Sequence, residues 1–346
     1  MESQPSSAQP SPAMTSEILT SHSFVESLSS VTQLEPNNIM EVLSRMIYGS
    51  NMISKAGGSL STTYRICYAV FQGQQIPEQI AENDFEYKEI REHMEFRRMR
   101  DHMEFRQIPV THESILQSYR ETVQHAEATK YLITKIVLQR QSYDGAILQE
   151  ANGILTHNIH LGPRMSWASY GGYYRPLDAP RNPRFLDPAQ ISSAMLDMIN
   201  ELTRQMGTQD MSPVKQENVQ ERIWNACRFC HRFILIHPFM DGNGRMYRLF
   251  LTTLLLRAGL CPPVYGLYNY DRIRHWPAET SCYMQDNQVF LSEADLVAIG
   301  PSQQLVIFVN DHMYLGWKSP DEHMGTFRQV TGQAPYNPNV PNMGPQ

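Results

Sequence analysis

The run HPFMDGNGRMYR, from His237 to Arg248, gathers a histidine, a carboxylate, an amide, two glycines and two arginines. A turn between helices needs far less. Pro238 cannot continue a preceding helix, and it disfavours helical geometry at His237. Asp241-Gly-Asn-Gly is turn chemistry. Arg245 then opens a new apolar-periodic segment, so Gly242 to Arg245 stand at a helix N-terminus. Unpaired backbone N–H groups and a partial positive charge make that place suit an anion. Gly242 and Gly244 let the backbone approach it closely. Arg245 and Arg248 are three apart and project from one face of the first turn, and paired guanidinium groups suit a polyphosphate. Asp241 is the type of residue to hold a Mg²⁺ that bridges phosphate oxygens. Asn243 can donate to a phosphoryl oxygen, and His237 can act as base toward a hydroxyl. Taken singly, D-G-N-G or His-Pro-Phe is ordinary helix punctuation. Together they suit transfer of a phosphorus-centred group from a nucleotide to an alcohol, driven by positioning and charge stabilisation.

The elements that must hold this stretch are helical. Apolar periodicity predicts helices from Ile39 to Ile47 (capped by Asn37 or Asn38), and over Ser61–Phe71, His112–Gln139, Ala146–His157, Pro188–Met206, Val219–Ile236 and Arg245–Ala258. The Gly-rich, aromatic run from Leu161 to Asp178 is not helical and reads as a short β-hairpin with Gly171-Gly172 near its turn. After Gly259 the pattern weakens, though Gln303–Phe308 and Asn310–Gly316 remain apolar enough to pack. The fold class is all-α with a hairpin flap. Residues 1–36, rich in Ser, Pro, Gln and Thr, read as a disordered tail, within which Ser23–Leu34 is apolar enough to dock. Residues 37–330 form the helical domain, and 331–346 a second disordered tail.

Composition bounds the function classes. The chain has 346 residues, of which 41% are hydrophobic and 18% charged, with a net charge of −6. That supports a sizeable core and gives no case for a nucleic-acid partner. No apolar run approaches the ~18 residues of a membrane span, and the N-terminus lacks signal-peptide features. An intracellular, cytoplasmic place is expected, the nucleus being compatible with the same features. Five cysteines in this length suggest reduced thiols rather than a disulfide framework. Cys227-Arg-Phe-Cys230-His231 matches a haem-attachment pattern, but it falls on the apolar stripe Ile223, Ala226, Cys227, Cys230, Phe233, Ile234 and reads as core. The charge-dense segment Glu78–Gln107 contains a near-repeat, HMEFR after Glu92 and again after Asp101. It reads as a solvated helix, with a partner-binding or dimerising arm as the sharper alternative.

His237 to Arg248 resembles the signature of the Fic (Fido) family, H-P-F-x-[D/E]-G-N-G-R-x-x-R, at every fixed position. The preceding ACRFCHRFILIHPF, His125-Ala-Glu-Ala and Gly172-Tyr-Tyr-Arg175 also look Fic-like, the last resembling the family's target-clamping flap. The resemblance covers Asn38 to about Phe308. It implies a protein adenylyltransferase that moves AMP from ATP to a Ser, Thr or Tyr hydroxyl of a target protein, itself included, and releases pyrophosphate. By position, His237 would be the base and Asp241 the Mg²⁺ ligand. Asn243, Gly242 and Gly244 would hold the α-phosphate, and Arg245 and Arg248 the β- and γ-phosphates. Tyr173, Tyr174 and Arg175 would dock the target, by added-strand pairing. A kinase-like branch of the family carries Lys at the place of Gly244, so Gly here favours nucleotidyl transfer. Transfer of UMP or phosphocholine is the alternative, and a non-catalytic interaction protein on the same fold is another. A homodimer is compatible with all three.

One segment departs from the resemblance. Many Fic proteins carry an inhibitory helix, [S/T]-x-x-x-E-[G/N], whose Glu pairs with the second motif arginine. The fitting region here is about 38–58. Ser50 takes the Ser/Thr place, which puts Ser54 at the Glu position and Lys55 after it. No Asp or Glu occurs between Glu41 and Glu78, so no small shift restores a carboxylate. The expectation is loss of this autoinhibition, the alternative being restraint by some other element.

Overall fold

The computed structural model describes residues 23–32, 34–100, 109–162, 165–180, 182, 184–209, 218–267 and 301–313. Ser23 opens the first helix, α1 (Phe24–Thr32), with a reciprocal cap: Glu26 N–H donates to Ser23 Oγ and Ser23 N–H to Glu26 Oε2. Phe24, Val25 and Leu28 are buried, with the Phe24 ring 5.1 Å from that of Phe71. Ser23–Leu34 thus docks on the core; the rest of the 1–36 tail, apart from 34–36, and all of 331–346 lie outside the described residues.

α2 (Pro36–Ile53) starts with proline in its first turn and buries Ile39, Leu43, Met46 and Ile47. α3 (Leu60–Phe71) is capped by Ser59, and α4 (Phe85–Arg100) holds the first HMEFR copy. The second copy, 102–106, lies outside the described residues. α5 (His112–Leu132), capped by Thr111 and Ser114, runs into a π-helical turn, Ile133–Leu138, where the sequence predicted one continuous helix to Gln139. α6 is Gly145–Thr156, and α7 is Ile191–Gln209, preceded by a 3₁₀ turn at Pro188–Gln190. α8 (Val219–Ile236) and α9 (Asn243–Arg257) pack together, and α10 (Pro301–Met313) lies against α8.

The expected β-hairpin does not form among the described residues. Leu161–Asp178 instead makes a 3₁₀ turn at Trp167–Ser169 and a single antiparallel bridge, Tyr174 to Phe239. The reason is local. Gly172 is left-handed (φ 77°), its N–H is taken by Asn152 Oδ1, and Gly171 N–H bonds Trp167 O, so the chain folds on itself and onto α6.

α9 is the centre of the molecule. Every one of its residues except Gly244 is buried, including Arg245, Arg248, Thr252, Thr253 and Arg257. Buried polar groups need partners. Thr253 Oγ1 accepts from Tyr143 Oη at 2.7 Å, and Arg257 donates to the Gln141 carbonyl. Cys227 and Cys230 are wholly buried as core residues, and burial pushes both thiols up.

α2 reaches α9 because Gly49 admits the backbone of Tyr265 and Gly266. A Cβ at Gly49 would stand 1.8 Å from the Tyr265 carbonyl oxygen. Gly49→Ala is therefore expected to destabilise the protein by about 1–3 kcal/mol. Thermal or denaturant unfolding reads this directly, and a wild-type midpoint would mean that the close approach is absent in solution.

Candidate active site

α8 ends where Pro238 forbids its continuation, and His237 takes a left-handed conformation, φ 49° and ψ 60°. That step turns the imidazole away from the helix line. The segment Pro238–Gly242 crosses to α9, held by a reciprocal pair: Phe239 N–H donates to Asn243 Oδ1 at 2.9 Å, and Asn243 Nδ2 to Phe239 O at 2.6 Å. Asn243 thus shapes the loop, and one N–H of its amide remains for a ligand. Gly242 is the left-handed N-cap (φ 79°), a conformation that glycine adopts without strain.

A cavity of about 310 Å³ opens on this turn, lined by His237, Asp241, Asn243, Gly244, Arg245, Ser54 and Glu121 among others. Arg245 Nη2 bonds Asp241 Oδ2 at 3.2 Å, while its buried Nη1 has no hydrogen-bond partner. A nearly buried guanidinium N–H without an acceptor is costly unless a ligand supplies one. Arg248 faces α2 instead. Its Nε donates to Ser50 Oγ at 2.7 Å, Nη2 to Ser50 O at 3.0 Å, and Nη2 also to Ser54 Oγ in a short contact. The structure brings Ser54 onto the arginine expected from the sequence, with a hydroxyl in place of a carboxylate.

Burial, the Arg175 charge and, in the opposite sense, the Ile234 carbonyl act on His237; the balance pushes its imidazole down to about 4. The ring is therefore neutral across the neutral pH range. Phe185 lies flat on it, with centroids 3.6 Å apart and planes 10° apart.

The flap residues separate. Tyr173 is 62% exposed at the surface. Tyr174 bridges to Phe239, with the two rings 5.7 Å apart. Arg175, expected to dock a target, is turned inward. Its Nε donates to His237 O at 2.7 Å and its Nη2 to Leu186 O and Ile236 O, so it tethers the carbonyls that end α8.

Glu121, Asn152 and Phe185 were missed in the sequence, and His125 was noted only within the resemblance. Glu121 is a buried carboxylate on α5 that accepts from Gly57 N–H at 3.0 Å. Burial raises its pKa, Arg245 opposes that rise, and Asp241 adds to it. Its signal was a polar stripe on a buried helix face: Ser118, Thr122, His125 and Thr129 follow helical spacing and are all buried. His125 Nδ1 lies 2.7 Å from Asn51 Oδ1, joining α5 to the end of α2. Asn152, wholly buried on α6, donates to the Asp241 carbonyl at 3.0 Å and accepts from Gly172 N–H at 3.0 Å. No local pattern distinguishes Asn152.

Residues 148–255 match the Fic/DOC family. A Fido domain-containing protein of Dictyostelium discoideum is 33% identical over 94 residues, covering 27% of this chain and 59% of that protein. A protein named protein adenylyltransferase Fic, from Drosophila grimshawi, is 46% identical over 50 residues, 14% of this chain and 10% of its own length. The chain thus spans well under two thirds of these relatives. Among solved structures, a Fic domain containing signaling protein from Bacteroides thetaiotaomicron aligns with TM-score 0.51 at 17% identity, over 85% of this chain and 92% of that one. Fic-1 (residues 134–508) from C. elegans aligns with TM-score 0.52 at 14% identity, over 92% and 76%. At these identities the structural likeness establishes the all-α fold.

Asn152→Ala is expected to cost about 1–3 kcal/mol, because it leaves the Asp241 carbonyl and the Gly172 amide without their partner. Hydrogen exchange at Gly172 N–H should accelerate in the variant. Unchanged protection there would show that another group holds the flap.

Proposed function

Because the chain carries a Fic/DOC-family domain over residues 148–255, we propose that it transfers AMP from ATP to a Ser, Thr or Tyr hydroxyl of a target protein. The observation that carries this reading is one cavity shared by a neutral imidazole, a carboxylate, a glycine-lined helix N-terminus and a buried arginine N–H without an acceptor. Nucleotidyl transfer needs each of these, and a binding module needs few of them. The name protein adenylyltransferase Fic borne by the Drosophila relative points the same way.

His237 Nε2 takes the proton of the target hydroxyl. The freed oxygen attacks the α-phosphorus, and the bond from that phosphorus to the α,β-bridging oxygen breaks, so pyrophosphate leaves. Backbone N–H groups at Gly242–Gly244 and the remaining amide N–H of Asn243 stabilise charge on the α-phosphate oxygens. Arg245 offers its open N–H to the outer phosphates, and Arg248 joins it on release from Ser50 and Ser54. Asp241, on the cavity wall, fits a hard cation that is shared with substrate phosphates, since Mg²⁺ takes one or two protein carboxylates in such sites. Held at Asp241, Mg²⁺ would offset the charge of the phosphate oxygens. Tyr173, at the exposed tip of the flap, meets the target segment. The target is a protein, and a second copy of the chain qualifies.

Incubation with labelled ATP and Mg²⁺ should mark the chain or a lysate protein, and intact mass should report an added AMP; a mass of UMP or phosphocholine would redirect the reading to those groups. His237→Ala should abolish the label, and persistence of label would remove His237 as the base. Ser54→Glu should suppress transfer about tenfold or more, since an ion pair replaces a hydrogen bond to an uncharged hydroxyl on Arg248. Unaltered transfer in that variant would mean that Arg248 does not contact the phosphates.

A further inference from the structure

The left-handed step at His237 ends α8, and the Ile234 carbonyl of that helix acts on the imidazole. A different segment covers the face of the ring. Phe185 stacks on the ring at 3.6 Å and 10°. Its own position is fixed by the residue after it: Leu186 N–H donates to Leu235 O at 3.1 Å, and Leu186 O accepts from Arg175 Nη2 at 2.8 Å. The same Arg175 holds the His237 carbonyl. One guanidinium therefore ties the stacking residue and the stacked residue to a common frame.

We infer that Phe185 is the positioning residue for His237, holding the imidazole plane toward the cavity and keeping water from one face. This rests on the reading of His237 as the base. The charged groups around the imidazole are Arg175 behind the turn and Glu121, Asp241 and Arg245 across the cavity. An aromatic face attracts a cation and by itself favours the protonated ring. Burial and the Arg175 charge push the imidazole the other way, down to about 4. Once the ring has taken the hydroxyl proton, the same face stabilises the imidazolium. The stack thus serves the ring in both states: it shields the neutral base and then attracts its conjugate acid.

The test has two readouts. In the unliganded full chain, NMR titration of the His237 imidazole should give a midpoint near 4, and Phe185→Leu should move it toward the ordinary 6.5. Phe185→Tyr, which keeps the ring face, should hold the low value. In transfer assays Phe185→Leu should lower kcat about tenfold, leave KM for ATP unchanged and move the acid limb of the rate profile to higher pH. Phe185→Tyr should restore all three. Circular dichroism checks folding, and Phe185→Met supplies a second variant of similar volume if the leucine variant unfolds. A leucine or methionine variant with wild-type titration and rate, or a tyrosine variant no better than leucine, overturns the inference. If the titrations follow expectation while the unaltered chain transfers nothing, the stack stands and the proposed reaction falls. If His237→Ala is dead while Phe185→Leu equals wild type in both readouts, the reaction stands and the positioning role falls.

Discussion

A single reversal of backbone hand at His237 is the constraint on which the site depends. A non-glycine residue in that region costs on the order of 1–2 kcal/mol, so the surroundings must hold it there. They do so from three directions. Pro238 removes the helical alternative, Arg175 binds the carbonyls of Ile236 and His237, and the Asn243–Phe239 pair closes the far side. The reversal lets α8 and α9 meet across a short turn, and it leaves the imidazole facing the N-terminus of α9. Burying that whole helix is unusual for one that carries arginines. Its charged residues are tolerated because each faces a carbonyl, a carboxylate, a hydroxyl or the cavity.

Arg248 shows how strength of bonding sets availability. Its partners on α2 are a serine carbonyl and two serine hydroxyls. Hydrogen bonds to a charged group contribute about 1.5–3 kcal/mol each, and a phosphate dianion offers stronger, charge-assisted acceptors in the same position. These hydroxyls and the carbonyl hold the arginine in an ordered pose through acceptors weaker than a phosphate oxygen. The grip on α2 itself comes from α5, through the His125–Asn51 pair and the Glu121–Gly57 bond. Lys55 and Gly57 both take positive φ in the loop between, which turns the chain directly after Ser54.

What could be read from the sequence was whatever is local. Helices α3, α6 and α8 appear within a residue of their periodic limits, because each has one apolar face and a clear cap or break. The 237–248 turn is legible for the same reason, its residues being adjacent in the chain. The contact of Ser54 with Arg248 was reached through resemblance rather than pattern, since it joins two helices far apart in sequence. Asn152, Phe185 and the inward turn of Arg175 were not legible. Each acts through a partner that only the tertiary fold brings near. The hairpin failed because Gly171 and Gly172 read as a turn between strands, whereas their amides bond within a 3₁₀ turn and to α6. α1 was half visible: its Ser23–Glu26 cap and four apolar residues were there, inside a segment whose average composition is polar.

Asn152 ends at Asp241 on one side and at Gly172 on the other. One buried amide thus spans the 237–248 turn and the flap. Linkage between two binding events is reciprocal, and Asn152 is a physical connection through which it could run. Two ligands that each shift one end of this side chain would each change the other's affinity, and by the same factor in either order.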